Sequence, residues 1–211
     1  MNYEYAFYIV IILLLLIVLF DDDIEDFITR KKVCTDDSRC YKVVEKFENN
    51  KEAAELLSYI NKFTIELIRH MRKKYLWDGQ ESLQHKELTQ NLINSYNPDS
   101  IIENNPKGNI NTSYVEDKGK IIAICLREKE SGNNMFHDKN IIEFVVMHEL
   151  SHIGSDVIGH DDLEFWINFK ILIKNAVELG IHKPINYQHK PVIYCSLRVD
   201  YNPFFDPEVP M

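Results

Sequence analysis

Apolar residues in this chain run unbroken near the N-terminus, then recur at helical spacing. They next crowd into short strand-like runs and finally return to helical spacing. The unbroken run is "YEYAFYIVIILLLLIVLF", Tyr3 to Phe20, whose single charge is Glu4. A helix of this stretch is apolar on every face, which suits lipid better than the one-sided burial of a surface helix. Its length is at the short end of what spans a hydrocarbon core. Tyr3, Tyr5 and Tyr8 sit at one end, as interfacial aromatics do. No Lys or Arg precedes the run, and "DDD" follows it in place of a small-residue cleavage site. Residues 1–20 are therefore expected to be a retained transmembrane anchor, not a removed signal peptide. Arg30, Lys31 and Lys32 lie on its C-terminal side, so the positive-inside rule places the following domain in the cytoplasm. The expectation is a single-pass protein of a host or virion membrane. The "NTS" sequon at Asn111 would be usable only in a lumenal domain.

Residues 21–40 are charged and poor in periodic apolar positions, which reads as a juxtamembrane linker. From Lys51, "KEAAELLSYINKFTIELIRHMRKKYL" places Ala54, Leu57, Ile60, Leu67, Ile68 and Met71 on one helical face, and Gly79 stops the run. "ESLQHKELTQNLINSY" predicts a second, shorter helix, and "NPDSIIENNPKGN" reads as loop. "TSYV", a turn at "EDKG", and "KIIAICLREK" predict strand, turn and strand. Asp138 is positioned as the N-cap of a helix through "IIEFVVMHELSHI" that ends at Gly154. "DDLEFWINFKILIKNAVELG" is another helix, with Asp161 and Glu164 at capping-box spacing and Gly180 closing it. "YQHKPVIYCSLRVDYNP" holds one short strand. The expected class is α+β with helices dominant: one domain over residues 41–200 and a Pro-rich tail over 201–211.

With 211 residues, 45% of them hydrophobic, the chain has ample material for a core. The net charge of −9 argues against broad contact with nucleic-acid phosphate, so no direct nucleic-acid binding is expected. The one basic cluster, "RHMRKK" from Arg69, reads as the solvated end of a helix. None of the four cysteines forms a CxxC pair, which disfavours a cysteine-based zinc site. Cys34 and Cys40 are close enough in sequence to form a disulfide in an oxidising compartment. Cys125 and Cys195 lie in apolar stretches and read as buried thiols.

The chemistry concentrates in "VVMHELSHIGSDVIGHDDLEFW". His148 and His152 are four apart on a predicted helix, so their imidazoles stack on one face and can converge on one ion. Glu149 lies one position round, beside that ion, where a carboxylate can take a proton from water. This is the HExxH arrangement of zinc peptidases. Three protein ligands leave a coordination position open. His160, just after Gly159, is the preferred third ligand; Glu164 and Glu178 are alternatives. Unpaired polar side chains on an apolar helix are costly, and a metal removes that conflict. The remaining histidines, His70, His85, His137, His182 and His189, have no ligand-spaced partner in sequence. "KIIAICLRE" is placed to bind a substrate backbone by strand addition, and Tyr194 and Tyr201 are candidate donors to a developing oxyanion.

"MHELSHIGSDVIGHDDLEFW" resembles the WLM-type zinc metallopeptidases, near the SprT-like group, whose signature is HExxH, a short return, then Gly-His and a Phe or Trp. With "NTSYVEDKGKIIAICLRE", "AVELGI" and "YQHKPVIYCSL" it resembles the WLM-like proteins of large nucleocytoplasmic DNA viruses. The resemblance covers Asn111 to Leu197 and neither the N-terminal run nor the early helices. It implies a zincin-like fold with Zn2+ held by His148, His152 and His160, and Glu149 as general base. The return from His152 to His160 is longer than in cellular members of that family. The expected function is a membrane-anchored zinc peptidase acting on protein or peptide substrates. The other reading is an inactive or metal-stabilised structural membrane protein, for example of a virion, that retains the zincin fold. Glu149 has no evident structural use, which favours the enzyme.

Overall fold

The computed structural model describes residues 30–79, 82–104, 112–128, 135–155 and 159–210. A five-stranded sheet has the order β1 (Arg30–Cys34), β2 (Cys40–Val44), β3 (Ile101–Asn104), β5 (Ile121–Cys125), β4 (Tyr114–Glu116). The outer pairs are antiparallel; β3 runs parallel to both β2 and β5. Helix α1 (Asn50–Met71) continues as a π-helical segment to Trp77, and α2 (Leu83–Ser95) follows it. Helices α3 (Lys139–Gly154) and α4 (Leu163–Glu178) come after the sheet. A separate hairpin of β6 (Val192–Tyr194) and β7 (Leu197–Val199) precedes the C-terminal residues.

Helix α1 buries Ala53, Ala54, Leu57, Ile60, Leu67 and Met71 at helical spacing, packing against β1, β2 and β3. Helix α3 is the hub. Ile141, Phe144, Val145, Met147, Leu150 and Ile153 are buried round most of its circumference, against α2, α4 and the sheet. Asp138 caps it, its side chain accepting from Asn140 N at 2.9 Å. Gly154 packs against α2: a Cβ there would run into Leu88 Cδ1. Lys170 of α4 is buried and donates to the carbonyls of Asp206 and Val209 at 2.6 and 2.7 Å, which ties down the C-terminal residues.

Several expectations are corrected. Among the described residues no helix is long and apolar enough to cross a membrane. The transmembrane anchor expected over residues 1–20 lies outside the described residues, and nothing in the described structure supports a spanning helix or a single-pass membrane localisation. Part of the supposed linker is structure: Arg30–Cys34 is edge strand β1, with Lys31 and Lys32 exposed as edge strands require, and the Cys34–Cys40 disulfide closes its hairpin. "IIEN", read as loop, is the central strand β3, buried at every position. A strand covered on both faces has no alternation to betray it. The N-cap of α4 is Asp162, which accepts from Glu164 N, and not Asp161. Strand β5 is paired on both sides, so it cannot receive an added strand; β4 is the edge.

Cys125 and Cys195 are not free thiols. They form a disulfide that joins the end of β5 to the β6–β7 turn, across a sequence separation of 70. That turn needs left-handed backbone at Cys195 (φ 48°) and Ser196 (φ 70°). A hydrogen-bond chain reinforces the tie: Cys125 N donates to Ser113 Oγ (3.0 Å), Ser113 Oγ meets Tyr194 Oη (2.9 Å), and Tyr194 Oη donates to Cys125 O (2.7 Å).

Closing a loop of this length stabilises a fold by about 4 kcal/mol in the chain-entropy account. A Cys125→Ala/Cys195→Ala double variant should melt about 10 °C lower than the oxidised protein in a thermal unfolding experiment. An unchanged Tm would show that the cross-link constrains nothing.

Candidate metal centre

His148 and His152 lie on successive turns of α3, with ring centroids 5.1 Å apart. His160 approaches from the return between α3 and α4. Its Nε2 is 3.0 Å from His152 Nε2 and 3.0 Å from His148 Nε2. His160 is held by Trp166, whose indole N–H donates to His160 O at 2.8 Å. Phe165, fully buried, sits behind all three imidazoles, with ring-centroid distances of 5.0, 4.5 and 4.8 Å to His148, His152 and His160. The tertiary packing thus makes one aromatic ring the common support of the triad.

Three ring nitrogens at this spacing repel one another unless a proton or a cation lies between them. A single N–H cannot serve both contacts of His160 Nε2; one cation serves all three nitrogens. Tetrahedral zinc with nitrogen ligands at about 2.0–2.1 Å sets neighbouring nitrogens roughly 3.3 Å apart, close to the observed spacing. Burial, aided by the neighbouring imidazoles, pushes the His148 pKa down to about 3 and the His152 pKa to about 4. Both are therefore neutral at neutral pH, as metal ligation requires. The donor set fits a divalent metal ion.

Glu149 is buried beside the triad and faces the same cavity as His148 and His160. Burial alone pushes its carboxyl up to about 8. The alternative ligands are elsewhere. Glu164 lines a separate recess between α2 and α4. Glu178 binds Lys74 at 2.5 Å. Neither tyrosine offers a free donor: Tyr194 gives its proton to Cys125 O, and Tyr201 gives its own to Asp206 Oδ2 at 2.7 Å.

A second group of ligand-type side chains surrounds the disulfide. His137 Nε2 lies 3.3 Å from Cys195 Sγ, with Cys125 adjacent. Both sulfurs are consumed by their mutual bond. Sequence spacing could not reveal this group, because its members come from three separate segments. Two other histidines, His85 and His182, are structural: His85 Nδ1 meets Ser82 Oγ at 2.6 Å and His182 meets Glu143 at 2.8 Å.

The fold and triad define the class: a helix-dominated α+β domain with a three-histidine grouping able to hold a metal ion. The chain belongs to the same family as uncharacterized protein R325 of Acanthamoeba polyphaga mimivirus, with which it is 34% identical over 158 residues, 75% of this chain and 76% of that protein. It is also similar to uncharacterized protein 042R of Invertebrate iridescent virus 3, 37% identical over 109 residues (51% of this chain, 60% of that protein). Uncharacterized protein 136R of Invertebrate iridescent virus 6 is 35% identical over 78 residues, 36% of this chain and 41% of that protein. No family model and no solved structure matches the chain.

Single alanine substitutions at His148, His152 and His160 should each lower bound metal, measured by elemental analysis. They should also remove the rise in Tm that added zinc gives the unsubstituted protein, because a ligand that binds only the folded form stabilises it by mass action. Full occupancy in His160→Ala would exclude it as a ligand.

Proposed function

We propose that this protein is a zinc-dependent peptidase with His148, His152 and His160 as metal ligands and Glu149 as general base. The observation that carries the reading is the meeting of three imidazoles with a buried carboxylate, Glu149, that shares a cavity with His148 and His160. The resemblance of the α3 sequence to WLM-type zinc metallopeptidases supports it. Proteins or peptides are the substrates this reading implies.

When bound, a zinc ion supplies Lewis acidity toward water and toward the carbonyl oxygen of the bond to be cut. The chain's own residues do the rest. Phe165 and the Trp166 hydrogen bond hold the three imidazoles in place. Glu149, whose burial-raised carboxyl a cation held by the neighbouring imidazoles would return to its ionised form, accepts a proton as water oxygen adds to the carbonyl carbon, then delivers it to the amine nitrogen as the C–N bond breaks. Its position next to His148 on α3 puts it beside the reacting atoms without making it a ligand. Strand β4 is the sheet edge nearest this cavity, since Thr112 and Ser113 just before it are lining residues. It is the edge on which an extended peptide would lie.

Glu149→Gln keeps the size and hydrogen bonding of the side chain and removes its basicity. Peptide hydrolysis should fall by roughly a hundredfold or more while bound zinc and Tm are retained. Undiminished cleavage by the purified variant would refute the assignment. Absence of cleavage by the zinc-loaded parent on any unfolded protein would favour a non-enzymatic, metal-stabilised protein.

A further inference from the structure

We infer that the cavity beside the triad is a side-chain pocket that selects substrates with a large apolar residue, aromatic or long aliphatic, flanking the cleaved bond, and that β7 supplies the selecting wall. The inference rests on the peptidase reading and deepens it.

The cavity measures about 390 Å³. An apolar cavity of about 150 Å³ holds a benzene ring. The space therefore takes one bulky side chain with adjoining backbone, not a folded segment. Phe144, Val145 and Phe169 from α3 and α4 form buried walls, and Leu197 and Val199 of β7 close it from outside. Leu197 is 45% exposed, and a large apolar side chain exposed at the mouth of a concave site is of the kind that a ligand covers.

Charge is kept to the rim. Arg198 and Asp200 line the cavity but pair with each other, Nε to Oδ2 at 3.2 Å, and remain largely exposed. Away from the triad and Glu149, no charged group among the described residues other than the Arg198–Asp200 pair lines the cavity, so entry of an ionic side chain would carry an unrepaid desolvation cost. The wall is also preset. A two-stranded hairpin is marginal alone, but this one is bonded to β5 through Cys125–Cys195 and through the Ser113–Tyr194 chain. Pocket width is thus fixed before substrate arrives, which is how a site obtains selectivity from shape.

The test is digestion of a proteome-derived peptide mixture by the zinc-loaded full chain, with cut sites read by mass spectrometry. One position flanking the cut should be enriched in Phe, Leu, Met or Tyr and depleted in Gly, Asp and Lys. In matched peptides, kcat/KM should rise by at least about a hundredfold from Gly to Leu at that position, since a single methylene in an apolar pocket is already worth about tenfold. Val199→Arg, which puts a cation in the wall, should lower kcat/KM for the best apolar peptide at least about tenfold with zinc content and Tm retained. Should that variant lose its fold, Leu197→Asp at the exposed mouth is the second probe. Cleavage without side-chain preference, or an unaltered preference in folded variants, overturns the pocket and leaves the peptidase reading standing. Absence of any cleavage overturns both.

Discussion

Convergence of three imidazole nitrogens on one point is the constraint that organises this molecule. Two of them come from α3, so that helix must be rigid and deeply packed, and it is surrounded by α2, α4 and the sheet. The third, His160, follows that helix in sequence and meets both of the others. Its position is set by Trp166 from the next helix and not by its own segment. Phe165 then supports all three rings from behind. The neutrality of His148 and His152 follows from the same burial that positions them.

The polar residues of α3 separate structure from chemistry. Glu143 is buried and satisfied by Tyr59 and by His182 Nδ1. Ser151 donates to Met147 O. Lys139 lies over the Tyr59 ring and Asn140 Oδ1 accepts from Lys183 N at 3.2 Å. What remains on this apolar helix is His148, Glu149 and His152, and these face the cavity or the triad. Elsewhere the core accommodates charge by pairing it. Arg127 binds Glu103 at 2.6 Å between the rings of Phe47 and Phe136, while the second Glu103 oxygen accepts from Val44 N. A pair this buried is a poor source of net stability, but losing one partner would strand the other.

The sequence made the helices readable because each carries a long apolar periodicity and recognisable ends. Asp138 and Gly154 bound α3 where their residue types suggested. The His148–Glu149–His152 spacing and the Gly-His of the return were equally visible. Strands β1 and β3 were not. The first is mostly lysine and arginine on an exposed edge, and the second is four residues buried on both faces between polar loops. The Cys125–Cys195 bond and the wall made by β7 depend on segments that meet only after folding. Phe165 looked like one more apolar residue of an amphipathic helix. Its role comes from the three imidazoles that pack against it.

The Cys125–Cys195 bond has a topological meaning beyond its effect on stability. The backbone between the two cysteines includes all of α3, the return with His160, and all of α4. The three histidines, Glu149 and the aromatic support therefore lie inside one covalent macrocycle. A single cut of the backbone anywhere within that ring opens it but releases nothing. The severed ends stay joined through sulfur, so the site is built on a part of the chain that one hydrolytic event cannot separate into two molecules.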